Sequence, residues 1–377
     1  MNLKILSKNT LSKSIAVLVG TRPGIIKMSP LIRLLKDKKV NFFVIHAGQH
    51  YSYSMDKIFF DDLQLPLPEY VLSEVKKYKL HGEQTAEMLK GIESILINTK
   101  PRIILVCGDA NFNLAGALAA RKLHIDVAHV ESGLRSNDWR MPEEHNRVII
   151  DHISDYLFAP TELAKNNLIN ENVKGKIIVA GNIIVDAIYE NLIIANEKSQ
   201  ILKKLKINKK EYFVLTIHRE ENVDNVNNLR NLKNSITSLS NQYKKYKIIF
   251  PIHPRTQNRL NMFKLNNFKT ENIIIIPPLG YLDFLKLLVN ARIVLTDSGG
   301  IQEEACILKV PCVTLRDNTE RPETIIVGAN KIVGTNHDLI LNGVNIMMNV
   351  KTNWGNPFGD GNTAKTIINT ILKDYNF

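Results

Sequence analysis

Short apolar runs separated by glycine, proline and charged residues recur along the whole chain. The runs are rich in Ile and Val and have the length of strands, and longer stretches with helical spacing lie between them. This alternation is typical of βα units, which assemble into parallel sheets with helices on both faces. We therefore predict an α/β fold with strands at residues 15–19, 41–46, 102–107, 127–130, 157–159, 177–180, 212–217, 247–250, 273–276, 293–297 and 312–315.

A helix and then a lysine-rich polar stretch interrupt the alternation, which restarts at Tyr212. A chain of 377 residues is long enough for two domains, each with its own core. The predicted fold is two Rossmann-like, doubly wound parallel-sheet domains that face each other across a cleft. The predicted parts are an N-terminal extension (1–13), a first domain (14–185), a linker helix with the lysine-rich segment (186–210), a second domain (211–360) and a C-terminal helix crossing back to the first domain (361–377).

Composition narrows the class of partner. The chain is 44% hydrophobic and 23% charged, as in ordinary soluble proteins. Its net charge is +12, but the lysines are scattered and no basic stripe carries interleaved aromatic residues. We therefore expect no nucleic-acid partner, and we assign part of the charge to attracting anionic substrates.

The cysteines and the apolar runs indicate the compartment. Cys107, Cys306 and Cys312 lack the spacing of metal ligands, so we expect buried, reduced thiols and no metal site. No apolar run approaches the roughly 18 residues that a membrane span needs, and no signal peptide precedes the first strand. These features predict a cytoplasmic protein without a membrane partner.

The stretch 293–308 carries the first candidate chemistry. A buried strand is followed by Ser298, Gly299 and Gly300 in a tight turn, and we expect a helix to open at Ile301. Two glycines let backbone N–H groups approach a ligand, and a helix N-terminus favours anions. Glu304 would repel phosphate and suits ribose hydroxyls better. The stretch indicates a pyrophosphate site with a ribose-binding acid, or else a structural Gly-Gly turn whose acid caps the helix.

Ligands of open α/β sheets bind outside the carboxyl ends of the strands. Singly, each polar residue there could be a helix N-cap. Together they pair acid/base groups in the first domain with histidines and an anion site in the second. The first set is Arg22, Lys27, His46, His50, Asp109 and Glu131, and the second is His218, His253, Arg255, Ser298, Gly299 and Gly300.

Longer motifs, in preserved order over residues 14–375, identify a family. The chain resembles the non-hydrolysing UDP-N-acetylglucosamine 2-epimerases, which have the GT-B architecture. The motifs are Gly20-Thr21-Arg22-Pro23, Gly48-Gln49-His50, Gly108-Asp109, His129-Val130-Glu131, Gly133-Leu134-Arg135, Pro142-Glu143-Glu144, Asn146-Arg147, His218-Arg219, 296–304, 316–323 and 356–361.

The resemblance implies a reversible isomerase that converts UDP-GlcNAc to UDP-ManNAc for surface polysaccharide synthesis. It implies elimination of UDP to a 2-acetamidoglucal and re-addition, without a cofactor, in a homodimer. The implied catalytic residues are Asp109, Glu131, Glu143 and His218. The implied substrate contacts are Arg22, Lys27, Leu279, Phe284, Ser298, Gly299, Gly300, Glu304 and Arg321, to which the strand-end position adds His253. The implied site for an activating second UDP-sugar is formed by Gln49, His50, Glu144 and Arg219.

Four positions depart from the family pattern. Gly24 replaces Glu, Ala110 replaces Thr, Ser132 replaces Ala, and Glu220 replaces the second Arg of the usual His-Arg-Arg-Glu run. None has an assigned chemical role. Glu220 reverses a charge beside the implied activator site, so activation does not follow from the resemblance alone.

Other functions remain compatible with parts of the pattern. One is a 2-epimerase of a modified sugar such as a UDP-2,3-diacetamido uronic acid, although those relatives usually have Ala-Arg-Pro-Gln in place of residues 21–24. Another is a GT-B glycosyltransferase, which would need an acceptor groove or a basic amphipathic helix. A non-enzymatic nucleotide-sugar binder would not need the carboxylates.

Overall fold

The computed structural model describes residues 12–48, 53–268 and 270–375. The chain divides into two compact units. The first unit comprises the residues up to Glu190 together with those from Phe358 onward, and the second unit comprises Asn191–Pro357. Each unit is an α/β layer structure built on one parallel sheet, as the alternation of apolar runs predicts.

The sheet of the first unit has seven parallel strands in the order β3-β2-β1-β4-β5-β6-β7. The strands are β1 (Ile15–Val19), β2 (Phe42–His46), β3 (Tyr70–Val71), β4 (Ile103–Cys107), β5 (Asp126–Val130), β6 (Tyr156–Ala159) and β7 (Lys176–Val179). The helices are α1 (Arg22–Asp37), α2 (Tyr53–Asp62), α3 (His81–Thr99), α4 (Asn111–Lys122), α5 (Pro142–Ile153), α6 (Glu162–Asn170) and α7 (Ile183–Lys198), with a 3₁₀ turn at Glu74–Lys77.

The sheet of the second unit has six parallel strands in the order β10-β9-β8-β11-β12-β13. The strands are β8 (Tyr212–Thr216), β9 (Lys247–Pro251), β10 (Ile273–Ile276), β11 (Ile293–Thr296), β12 (Cys312–Thr314) and β13 (Asn330–Ile332). The helices are α8 (Ile201–Lys204), α9 (Glu220–Val223), α10 (Val226–Gln242), α11 (Pro254–Met262), α12 (Tyr281–Val289), α13 (Gly299–Ile307), α14 (Pro322–Ile326) and α15 (His337–Met348).

The last helix, α16 (Thr363–Tyr375), belongs to the first unit and packs on α1. Its N-terminal N–H groups at Thr363 and Ala364 donate to the buried carboxylate of Asp186 on α7, at 3.2 and 2.9 Å. Helix α16 therefore returns to the unit that contains β1.

The central strands explain the strand order. β1, β4 and β5 are buried along their whole length, because helices cover both faces of the sheet. In each unit the strand order reverses beside the first strand, between β1 and β4 and between β8 and β11. A doubly wound sheet binds its ligands at the carboxyl ends beside such a reversal. The predicted pair of doubly wound parallel sheets is confirmed.

The predicted strands agree with the observed ones to within one residue at each end, and the larger differences are two missed strands and one helix start. β3 and β13 were not predicted, because two or three residues are too few for an apolar pattern. The helix expected from Ile301 begins instead at Gly299, so both glycines lie in its first turn. The first N–H groups of a helix need no intrahelical partner, which makes glycine tolerable there.

The three cysteines are unpaired and buried, as predicted. Across the described ranges, no helix has the length and apolar character required to cross a membrane.

Candidate active site

The carboxyl ends of β1, β4 and β5 lie side by side in the first unit. Gly108 and Asp109 follow β4, and Glu131 follows β5 directly. A Cβ atom at Gly108 would lie 3.5 Å from Glu131 Oε2, so the two acidic strand ends adjoin. Parallel neighbouring strands thus bring together two strand ends whose acidic residues are 22 positions apart in the sequence.

Glu131 has an unusual backbone. Its φ of 65° is in the left-handed region, which costs free energy for a residue with a side chain. Its side chain is buried, and Lys27 Nζ on α1 donates to Oε2 at 2.6 Å. Strained residues of this kind cluster at functional sites, and the paired lysine offsets the loss of hydration of the carboxylate.

Asp109 is held from two sides by α5. Arg147 forms an ion pair with its carboxylate, and Asn146 Nδ2 donates to its backbone carbonyl at 2.8 Å. Arg147 Nη1 also lies 3.0 Å from Glu144 Oε2. The side chain of Asp109 stays partly exposed, so the carboxylate is both fixed in place and accessible.

Glu143 and Arg22 occupy the first turns of α5 and α1, respectively, and both are exposed. Within the described part of the chain, the carboxylate of Glu143 has no hydrogen bond or ion pair. Glu143 therefore lies on the helix that holds Asp109 without joining the contacts of Asp109 and Glu131. Its predicted catalytic role stays a prediction.

The residues of the implied activator site divide into three cases. Gln49 and His50 lie outside the described residues. Glu144 is buried and accepts hydrogen bonds from the N–H groups of Ser136 and Asn137, which lower the pKa of this carboxyl although burial alone would raise it. Glu144 therefore fixes the loop before α5. Arg219 has a buried Nε without a hydrogen-bond partner among the described residues.

Three adjacent strands of the second unit, β9, β8 and β11, are followed within two residues by His253, His218 and Asp297, respectively. Asp297 is fully buried and His218 Nδ1 lies 2.9 Å from its Oδ1. Its Oδ2 accepts from the N–H groups of His218 and Arg219 and from Asn222 Nδ2, at 2.9, 3.0 and 3.1 Å. Burial alone would raise the pKa of Asp297, but His218 and these donors lower it, so the group is a carboxylate.

These contacts determine where the histidine protons lie. His218 Nδ1 carries a proton that it donates to Asp297. Because the ring is partly exposed, Nε2 can interact with another group. His253 Nδ1 accepts from Arg255 N–H at 3.2 Å, so its proton lies on Nε2. Burial, His218 and Arg255 all lower the pKa of His253, which favours a neutral ring. The ring centroids are 5.7 Å apart.

Ser298, Gly299 and Gly300 form the start of α13 beside Asp297. Neither glycine has a positive φ. A Cβ at Gly299 would meet only Glu320 Oε2, at 3.4 Å, and a Cβ at Gly300 only Ser298 Oγ, at 4.0 Å. Nothing within the unit requires glycine at either position, although glycine destabilises a helix relative to alanine. The predicted close approach of an anionic ligand to this helix N-terminus would account for both glycines and stays a prediction.

Glu304 lies one turn further along α13. Burial and the neighbouring carboxylate of Glu303 raise its pKa to about 8. Glu303 has its own partner, because Arg321 Nε lies 3.2 Å from its Oε2. Glu304 is therefore an acid that the fold disfavours in its charged form, and its role as a ribose-binding acid stays a prediction.

Replacing Glu304 by Gln is expected to stabilise the protein at pH 8 and to weaken UDP binding. A folded-state pKa above the ordinary 4.5 means that stability falls as pH rises from about 4.5 to about 8. Because the side chain is only partly buried, we expect a gain of about 1–2 kcal/mol at pH 8 and none near pH 4. Loss of the charged acceptor for the ribose hydroxyls should weaken the binding of UDP by about 1–3 kcal/mol.

Urea unfolding at both pH values and calorimetric titration with UDP measure these effects. The exposed carboxyl of Glu271 in the same unit provides the matched control, and Glu271→Gln should leave both quantities unchanged. Unchanged UDP affinity in Glu304→Gln would remove this residue from the nucleotide site and favour a purely structural Gly-Gly turn.

Leu279 and Phe284, which the family resemblance places at the uracil, lie near the carboxyl end of β10 and on α12. Both are partly buried against the apolar cluster that includes Leu287 and Val294. Each therefore presents part of an apolar side chain on the same side of the second unit as Ile301 of α13.

Two residues of the site were missed in the sequence. Asp297 was counted as the end of a strand, although a charged residue directly after a buried strand beside the strand of His218 was a usable signal. Arg147 belonged to a motif but had no assigned role, and its position one helical turn after Glu144 was the signal for an ion pair.

Three departures from the family pattern have local consequences. Ala110 leaves α4 without a side-chain cap, which a threonine there could provide. Ser132 Oγ is buried without a hydrogen-bond partner in the described structure. Glu220 is exposed and forms an ion pair with Arg255 at 2.7 Å, so a cation on the surface neutralises the reversed charge. Among the described residues, no group of three or more His, Cys, Asp or Glu side chains could hold a metal ion.

Comparison with known proteins gives a consistent result. The family model described as UDP-N-acetylglucosamine 2-epimerase matches residues 33–372. The UDP-N-acetylglucosamine 2-epimerase of Methanocaldococcus jannaschii is 54% identical over 362 residues, which is 95% of this chain and 98% of that protein. The UDP-2,3-diacetamido-2,3-dideoxy-D-glucuronate 2-epimerase of Pseudomonas aeruginosa is 37% identical over 366 residues, 95% of this chain and 99% of that protein.

A solved structure is also similar along almost the whole chain. The crystal structure of the Methanocaldococcus jannaschii UDP-GlcNAc 2-epimerase in complex with UDP-GlcNAc and UDP has a TM-score of 0.82 and 52% identity. The match covers 96% of this chain and 99% of that one.

Proposed function

Because the chain belongs to the UDP-N-acetylglucosamine 2-epimerase family, we propose that it interconverts UDP-GlcNAc and UDP-ManNAc by inversion at C2. The observation that carries the proposal is the pair of carboxylates that follow the adjacent strands β4 and β5, each paired with a cation. Inversion at a carbon requires proton transfer on two faces of that carbon. Asp109, which is partly exposed, and Glu131, which is buried and paired with Lys27, are two groups that can transfer a proton.

The second unit binds the nucleotide in this proposal. The N–H groups at Gly299 and Gly300 and the helix N-terminus of α13 favour the diphosphate. Glu304 accepts hydrogen bonds from the ribose hydroxyls. Arg321 neutralises Glu303, the residue before Glu304. The partly exposed side chains of Leu279 and Phe284 offer an apolar surface for the uracil ring.

The proposed reaction begins with departure of UDP. The C2 proton of the substrate is not next to a carbonyl group, so its direct removal is too costly. Breaking the C1–O bond sends the electron pair to UDP and develops positive charge at C1, which acidifies the C2 proton. A carboxylate takes that proton, and the former C–H electron pair becomes the double bond of a 2-acetamidoglucal.

The reverse steps complete the inversion. A carboxylic acid protonates C2 on the opposite face, and a phosphate oxygen of UDP adds again to C1. His218, held by Asp297, presents Nε2 to the departing phosphate and stabilises its charge when protonated. Lys27 and Arg22 add positive charge on the first unit. Glu143 on α5 is the third carboxylate proposed to take part in proton transfer.

The choice of sugar rests on similarity. The relative named for the diacetamido-glucuronate is 37% identical, and the relative named for UDP-GlcNAc is 54% identical over a similar length. This difference supports the unmodified sugar. We also propose that the protein is a cytoplasmic homodimer whose product supplies surface polysaccharide synthesis, with the three unpaired, buried cysteines as support for the compartment.

Incubation with UDP-GlcNAc in D₂O tests the proposal. We expect UDP-ManNAc with deuterium at C2, and deuterium also in the recovered UDP-GlcNAc, because proton transfer to solvent is reversible. The reaction should need no added NAD or metal, and proton NMR follows it directly. UDP-glucose, which lacks the acetamido group, is the matched control substrate and should not be epimerised.

Other outcomes separate the alternatives. A product that kept its C2 hydrogen would contradict elimination and indicate a transient oxidation. UDP binding without turnover of UDP-GlcNAc would favour an epimerase of a modified sugar.

A further inference from the structure

His129 lies in the middle of the first unit and is not used by the proposed reaction. It belongs to β5, two positions before Glu131, and its side chain is fully buried. Nδ1 lies 2.6 Å from Asp151 Oδ1, and Nε2 lies 3.1 Å from the carbonyl oxygen of Gly108. Both ring nitrogens therefore face oxygen atoms in a region without solvent.

Neither oxygen can donate a hydrogen bond to the ring. A backbone carbonyl only accepts, and Asp151 is a carboxylate, because its Oδ2 also accepts from Gly133 N–H at 3.0 Å and from Arg135 at 2.8 Å. Burial alone would raise the pKa of Asp151, but His129 and Arg135 lower it. A neutral imidazole would point one unprotonated nitrogen at an oxygen lone pair, which is repulsive when buried. Both contacts are satisfied only by the doubly protonated ring.

The surrounding charges agree with a charged ring. Arg135 donates to Glu171 through Nε and Nη2, at 2.7 and 2.6 Å. With His129 protonated, two cations and two carboxylates form a neutral cluster, in which the side chain of Glu171 is partly exposed and the other three are buried.

The cluster ends on backbone of left-handed conformation, which is strained only at Glu131. Gly108, Glu131 and Gly133 have φ angles of 75°, 65° and 77°, all in the left-handed region. His129 holds the carbonyl of Gly108, the residue before Asp109, and Asp151 holds the N–H of Gly133, two residues after Glu131. The hydrogen bonds thus fix the backbone on the β4 side and on the β5 side of the two carboxylates.

We propose that His129 is a positioning residue whose imidazolium, together with Asp151, fixes Asp109 and Glu131 in the geometry needed for proton transfer. The proposal rests on the proposed function, since it assigns a task to the residues that hold the acid/base groups. His129 itself remains charged and exchanges no proton with the substrate.

Nitrogen-15 NMR of histidine-labelled protein tests the charge without any substrate. We expect both ring nitrogens of His129 to carry a proton, with the resonances assigned by their loss in His129→Gln. In Asp151→Asn the counter-ion is gone, and the ring should become a neutral tautomer. A neutral His129 in the unaltered protein would overturn the inference, whether or not the variants fold.

Kinetics test the positioning role. In His129→Gln and Asp151→Asn we expect turnover of UDP-GlcNAc to fall on the order of tenfold to a hundredfold, with C2 deuterium exchange slowed in parallel. UDP affinity, measured by calorimetry, should stay within about twofold, because the nucleotide residues belong to the other unit. The exposed His152, next to Asp151 on α5, gives the matched control, and His152→Gln should leave turnover unchanged.

The two proposals fail in different ways. If the unaltered protein binds UDP but does not turn over UDP-GlcNAc, the proposed function fails, and the NMR result still decides the charge of His129. If the unaltered protein is active and folded His129→Gln is as fast, the positioning role is wrong.

Discussion

Asp109→Asn is expected to lower turnover of UDP-GlcNAc by at least about two orders of magnitude while UDP affinity stays largely intact. The carboxylate is partly exposed, is paired with Arg147 and follows the strand adjacent to that of Glu131, so it is placed to exchange a proton with a bound sugar. Asparagine has nearly the same shape and can still accept a hydrogen bond from Arg147. The substitution therefore removes the acid/base function and little else.

Steady-state kinetics and calorimetric titration with UDP separate the two effects. In the slowed variant, free UDP and 2-acetamidoglucal should accumulate together when the re-addition of UDP is slower than its departure. The control is Asp37→Asn at the exposed end of α1, which should behave as the unaltered protein. Equal turnover in Asp109→Asn would exclude Asp109 from proton transfer, and a parallel loss of UDP affinity would indicate a binding role.

Asp297→Asn is expected to lower turnover by about two to four orders of magnitude. Asp297 accepts from Nδ1 of His218 and would stabilise an imidazolium there, as the aspartate of a serine-protease triad does. Asparagine has one acceptor oxygen and an amide that can only donate, so either His218 changes its tautomer or a backbone N–H loses its partner. Either result removes the stabilised positive charge proposed for the departing phosphate.

The same substitution should also reduce stability. The carboxylate is fully buried and accepts hydrogen bonds from N–H groups between the end of β8 and the start of α9. Removing its charge is therefore expected to lower the free energy of unfolding by about 3–5 kcal/mol. Activity is therefore measured at a temperature where circular dichroism shows the variant folded. Asp338→Asn, an exposed acid in the first turn of α15, is the control for both measurements.

A double variant shows whether the two residues act as one. If Asp297 acts through His218, the loss in His218→Gln combined with Asp297→Asn should be close to the larger single loss. Fully additive losses would contradict a shared role and leave Asp297 as a residue that stabilises the fold of the second unit.

The candidate site illustrates what a pattern can predict. Apolar runs followed by glycines and charged residues predict strands that end in Asp109, Glu131 and His218, because buried parallel strands need apolar residues on both faces. The position of Glu304 after a Gly-Gly turn likewise predicts a ligand, since each feature depends on a few adjacent residues. Short elements such as β3 carried too few residues for the pattern to be detected.

The partners of these residues were decided by strand order. Lys27 and Glu131 are separated by 104 positions, His218 and Asp297 by 79, and Arg147 and Asp109 by 38. Periodicity reports the environment along one strand, but a doubly wound sheet can arrange its strands in more than one order. Only the observed order places β8 beside β11 and β4 beside β5, and so assigns each charge its partner.

The sequence by itself determined the two parallel sheets, the family and the residue types at the strand ends, because all three depend on local order along the chain. The tertiary structure decided which of those residues have a shifted pKa, which form ion pairs and hydrogen bonds, and which have a strained backbone. The left-handed backbone of Glu131 and the raised pKa of Glu304 exist only in the folded chain. The physical reason is that hydration, hydrogen bonding and electrostatic pairing depend on distances in space, which folding sets independently of separation in sequence.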